Sequence, residues 1–240
     1  MNVLARIVSI LFHPLLLASY LFALFIFLFP VALEPLKSEG HTSFLLLIFC
    51  VTFVLPALNV GMFRMMGTIK TLEMKDRRER ILPFIFITIL YIAVTYLFYS
   101  KPRIGFQDNL LKFLIIIDAL VLIATLTTFF YKISVHSLAA WGMIGILIPL
   151  NKVLEDNTLF YPTLVIIVIA GAVMSARLKL NAHTPREVLV GSALGFATSF
   201  AGMVVLFWTF EFFLISEIKS SFTISLWSFA SWWQKSTIKF

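Results

Sequence analysis

Residues 175–191, SARLKLNAHTPREVLVG, set Arg177, Lys179, His183, Arg186 and Glu187 between two apolar runs. A histidine six residues after an arginine and four before a carboxylate is a set that can carry phosphoryl transfer. The guanidinium binds phosphate oxygens as a planar fork. An imidazole attacks phosphorus when a carboxylate orients and polarises it. Two further clusters supply related groups. YKISVHS, residues 131–137, holds Ser134 and His136, and the histidine suits a general acid towards a departing oxygen. KTLEMKDRRERILP, residues 70–83, holds Lys75, a point charge for phosphate, with Arg78 and Arg80 nearby.

Part of the first stretch has a purely structural reading. Thr184-Pro185-Arg186-Glu187 fits a capping box, with Thr184 as N-cap and Glu187 at the third helical position. Pro185 favours an extended Thr184 and suits the first helical position. His183 then lies just before a helix N-terminus, where backbone N–H groups favour an anion. Arg177, Lys179 and Arg186 also fit snorkelling contacts with headgroups. Capping and snorkelling leave His183 unexplained, as well as His136 and Ser134.

The elements that position these residues are membrane helices. Of 240 residues, 60% are hydrophobic and only 13% charged, with 26 phenylalanines, against roughly a quarter charged in soluble domains. The lone Cys50 sits in an apolar run, which excludes a disulfide framework or a thiolate metal site. A net charge of +7 is dispersed between apolar runs, so it favours anionic headgroups or a phosphorylated substrate over nucleic acid. The expected fold is all-α, a polytopic bundle of about seven transmembrane helices near 8–29, 44–66, 83–99, 112–131, 136–151, 159–175 and 188–213. The first resembles a signal peptide, but its apolar run is long and lacks a small-x-small cleavage site, so a retained helix is expected.

The three polar clusters follow even-numbered spans, which puts them on one membrane face with the N-terminus. Residues 1–213 form one membrane domain, and 214–240 are expected to form an aromatic-rich interfacial tail anchored by Trp227, Trp232 and Trp233. Asp118 lies mid-span, a functional candidate by default, and is expected to pair with a Ser, Thr or basic side chain inside the bundle. His13 and His41 fall outside the three clusters. Gly191 and Gly195 form a small-xxx-small pair that predicts close helix packing.

Taken together, the clusters resemble the type 2 phosphatidic acid phosphatases, membrane histidine phosphatases acting on lipid phosphates. Their last signature is Ser-Arg, five residues, His, three residues, Asp. Here Arg177, LKLNA, His183, TPR and Glu187 keep that spacing, with Glu for Asp and Ser175 displaced by Ala176. Their Pro-Ser-Gly-His reads Ile133-Ser134-Val135-His136 here. Their first signature, a lysine, six residues and Arg-Pro, reads Lys75, DRRERI, Leu82-Pro83. Leu82 thus stands where the family has a phosphate-binding arginine, and Arg78 and Arg80 are the substitutes at hand.

The resemblance implies a six-helix core and a phosphatase that needs no metal or cofactor. His183 would be the nucleophile, oriented by Glu187. His136 would be the acid, and Lys75, Ser134 and Arg177 would hold phosphoryl oxygens. Undecaprenyl pyrophosphate, phosphatidylglycerophosphate or a lipid A phosphate would be the substrate, in a bacterial inner membrane. The competing expectations are a catalytically degraded relative that binds headgroups or scaffolds a partner, and a small transporter using Asp118.

Overall fold

The computed structural model describes residues 2–70, 74, 76–102, 104–153 and 158–208. Lys75 and the expected tail at 214–240 lie outside the described residues. Among those described there is no strand. Nine α-helices follow in order: α1 (Asn2–Leu11), α2 (Pro14–Leu28), α3 (His41–Phe49), α4 (Leu55–Met65), α5 (Arg77–Tyr99), α6 (Asn109–Phe130), α7 (Val135–Val153), α8 (Phe160–Lys179) and α9 (Pro185–Met203). A π-helical turn, Cys50–Val54, joins α3 to α4, and a second spans Val204–Trp208. The chain divides into two units, Met1–Met203 and Val204–Phe240.

Among the described residues, five helical stretches are long and apolar enough to cross a membrane: Ser38–Met65, Arg77–Tyr99, Asn109–Phe130, Phe160–Lys179 and Pro185–Phe207. The pair α1 and α2, bent by 57° at its break, brings the number to six if it counts as one span. The apolar run at 8–29 predicts one span through this point. Pro14 breaks it, because proline has no N–H to continue the ladder. His13 is extended there and caps α2, its Nδ1 accepting from Leu15 N at 3.4 Å. At the other polar junctions the helices also reach further than the apolar runs suggested. Asp76 caps α5 by accepting from Arg78 N at 3.0 Å, so α5 starts six residues before the expected Pro83 and carries its arginines on helical turns. Likewise α8 continues to Lys179, which places Arg177 in its last turn.

The helix α7 lies at the centre of the first unit. A Cβ on Gly191 would come within 2.6 Å of Ser134 O, and one on Gly195 within 2.0 Å of Leu138 O. The expected small-xxx-small pair therefore presses the α9 backbone onto the start of α7. Gly145 returns the contact from α7, where a Cβ would meet Phe196 O at 2.8 Å. Leu17, Ala140, Ile144 and Ala170 join α2, α7 and α8 in one apolar cluster. Between α5 and α6, Thr88 and Thr125 share a hydrogen bond of 2.7 Å. Such hydroxyl pairs satisfy polar groups and link helices where apolar burial contributes little.

Candidate functional site

The turn between α8 and α9 holds its histidine by two local devices. Thr184 Oγ1 accepts from Glu187 N, and Glu187 Oε2 accepts from Thr184 N, each at 3.3 Å. The expected capping box is therefore formed. The same Oε2 lies 2.7 Å from His183 Nδ1. A carboxylate only accepts, so Nδ1 carries the ring proton and Nε2 keeps the lone pair of a nucleophile. Cap and orienter are one carboxylate.

His183 is buried, at 7% exposure. Burial, first, pushes its imidazole down to about 4; the Glu187 hydrogen bond opposes this, and the Arg80 and Arg177 guanidiniums add to it. The ring is thus neutral at physiological pH, the form that attacks phosphorus. Lys132, which the sequence reading passed over, reaches the same turn. Its Nζ donates to Ala182 O at 3.3 Å and lies 3.8 Å from Glu187 Oε2.

Of the two arginines offered in place of Leu82, Arg80 is the one that lines the cavity described below. It is 7% exposed, and donates through Nε to Met74 O at 2.7 Å and through NH1 to Ile133 O at 3.3 Å. Arg78 is exposed, and Leu82 points outward at 45% exposure. Ser134 is a correction. It is fully buried, and its Oγ accepts from Ser137 N at 3.4 Å and from Ser137 Oγ at 2.9 Å. Its hydroxyl serves the first turn of α7, and its own N–H donates to Glu187 O at 3.1 Å. Ser134 ties the α7 start to the α9 start but does not line the cavity described next.

His13 is the other correction, since the sequence placed it apart. Its ring stands edge-on to that of His136, with centroids 5.2 Å apart. His136 Nε2 donates to Ser9 O at 3.1 Å, and Arg177 NH1 donates to Ser9 Oγ at 2.7 Å. The α1–α2 elbow thus enters the site. Its only sequence signal was the His-Pro pair on the same face as the three clusters.

These groups surround one cavity of about 990 Å³. Arg6, Ser9, His13, Arg80, Lys132, His136, Arg177 and His183 line its polar part. Leu17 and Leu21 of α2, Phe53, Val60 of α4, Ile87 of α5, Leu120 of α6, and Met143 and Ile146 of α7 line an apolar part. Along α7, Met143 and Ile146 lie roughly 10–15 Å beyond His136, at 1.5 Å per residue. The cavity thus has basic and polar walls together with apolar ones. Asp118 does not line this cavity but an adjoining pocket of about 10 Å³ that shares Tyr91 and Ile117 with it, and it is bonded to Thr95 as expected of an internal pair. Comparison with known protein families, characterised proteins and solved structures finds no match to this chain.

Proposed function

We propose that the protein is a membrane phosphatase for lipid phosphates or pyrophosphates, working through a phosphohistidine, with a seven-span bundle related to the type 2 phosphatidic acid phosphatases. The observation that carries this reading is the His183–Glu187 pair, 2.7 Å apart, at a cavity shared with Arg80, Arg177 and His136. In this reading His183 Nε2 attacks phosphorus, and the bond from phosphorus to the leaving oxygen breaks. His136 starts doubly protonated, with Nε2–H on Ser9 O, and gives the leaving oxygen its Nδ1 proton. Water then attacks the phosphohistidine, its proton passes to His136, and inorganic phosphate leaves. Arg80 and Arg177 stabilise the charge on the equatorial oxygens, a role that arginines fill without a metal. Arg80 takes the part of the arginine absent at Leu82. The apolar wall reaching to Met143 and Ile146 supports an amphiphilic substrate over a soluble one.

The deciding experiment is phosphate release from short-chain lipid phosphates by purified protein, with rapid quench for an acid-labile, base-stable phosphoenzyme. Both should vanish in His183→Ala. Wild-type protein that binds these lipids through Arg177 and hydrolyses none of them would instead establish a headgroup-binding protein.

A further inference from the structure

The α1–α2 elbow belongs to none of the three clusters, yet it reaches the two groups nearest the reaction. We infer that Ser9 is a phosphoryl-binding residue, its hydroxyl taking the place that the sequence assigned to Ser134. The inference rests on the phosphatase reading above.

Ser134 is set aside because it is fully buried and does not line the cavity. Ser9 is nearly as buried, at 5% exposure, but it lines the cavity. Its Oγ accepts from Arg177 NH1 at 2.7 Å, since a guanidinium only donates. The Ser9 hydroxyl therefore keeps its own proton, which can rotate towards an anion held on the same guanidinium. The backbone oxygen of Ser9 accepts from His136 Nε2 at 3.1 Å. One residue thus sets the direction of the anion-binding arginine and of the proposed acid.

Ser9 lies within α1, which packs on α8 beside Arg177 and meets α2 at a bend of 57°. Pro14 and the His13 cap fix that bend. The ligand chemistry is that of a phosphate monoester, whose oxygens accept from Arg80, Arg177 and the Ser9 hydroxyl together.

The test uses the full chain in detergent and dodecyl phosphate as probe, with affinity by calorimetry and turnover by phosphate release. Ser9→Ala should lose about tenfold in affinity, the usual scale for a hydrogen bond to a charged group. Ser9→Thr should restore most of it. Ser9→Val, which matches threonine in shape without the oxygen, should not, and this pair isolates the hydroxyl if Ser9→Ala melts early. Adding Ser9→Ala to Arg177→Gln should cost little more than Arg177→Gln alone, because both act on one anion contact. Ser134→Ala should lower the melting temperature and leave affinity near wild type.

Wild-type affinity in both Ser9→Ala and Ser9→Val, with loss in Arg177→Gln, would overturn the role of Ser9 and leave the anion site standing. No binding of dodecyl phosphate by the wild-type protein would overturn the phosphatase reading along with it.

Discussion

The Oε2 atom of Glu187 lies 2.7 Å from His183 Nδ1 and 3.3 Å from Thr184 N, so one oxygen caps α9 and orients the imidazole. The two roles separate by mutation. In Glu187→Gln the amide oxygen still accepts from Thr184 N, so the melting temperature should stay near wild type. Phosphate release should fall on the order of 100-fold, because a neutral amide cannot stabilise the imidazole charge that develops in attack. Thr184→Ala should do the reverse, costing about 1 kcal/mol of stability with turnover per folded molecule preserved. Equal loss of turnover in both variants would mean that Glu187 acts only through the cap.

His183 gives a pH signature. Its imidazole titrates at about 4 in the fold, against an ordinary value of 6.5. The acid limb of turnover should therefore lie well below 6.5, towards 4, where the lone pair on Nε2 is lost. Stability follows with a definite sign. Between 6.5 and 4 the unfolded chain binds more protons at this residue than the folded one, so stability contributed by neutral His183 is present above 6.5 and is lost as pH falls through that window. His183→Ala should flatten that part of the stability profile and remove the phosphoenzyme. A turnover limb at 6.5 in the wild-type protein would contradict a buried neutral nucleophile.

On α5, Arg80 faces the cavity and Leu82 faces outward. Arg80→Gln should lower kcat/KM for a lipid phosphate by on the order of 10²–10³, the range for losing one preorganised donor to transition-state charge. Leu82→Arg, the change that motif spacing alone recommends, should bring no gain, because the new guanidinium points away from the site. Higher turnover in Leu82→Arg would show that α5 sits in a different rotation when substrate binds.

Packing beneath the site is tested by Gly195→Ala. The added Cβ would fall 2.0 Å from Leu138 O, and a backbone carbonyl cannot swing aside as a side chain can. The expected cost is about 1–3 kcal/mol from overpacking, visible as a lower melting temperature. Gly171→Ala on α8, where a Cβ meets nothing within 4 Å, is the matched control and should be neutral or slightly stabilising.

Much of this protein could be read from its order of residues, because the signals concerned are local. Apolar runs of span length marked the helices that are long enough to cross a membrane. The spacing of Thr184, Pro185 and Glu187 announced the cap at α9, and His183 at four residues from Glu187 announced the dyad. Gly191 and Gly195 announced the close approach of α9, though not that its partner was the start of α7. Tertiary structure alone settled the rest. Which of Arg78, Arg80 and Leu82 faces the cavity depends on how α5 is rotated against the bundle, and spacing in the chain does not encode that rotation. Ser134 looked like a ligand by order in the chain, but the first turn of α7 needed an acceptor and took its hydroxyl. Ser9 reaches His136 and Arg177, and His13 reaches His136, because α1 packs on α8 and α2 packs on α7. A contact between residues 9 and 177 leaves no periodic trace along the chain, because it is made by the packing of helices whose individual patterns are satisfied in many arrangements.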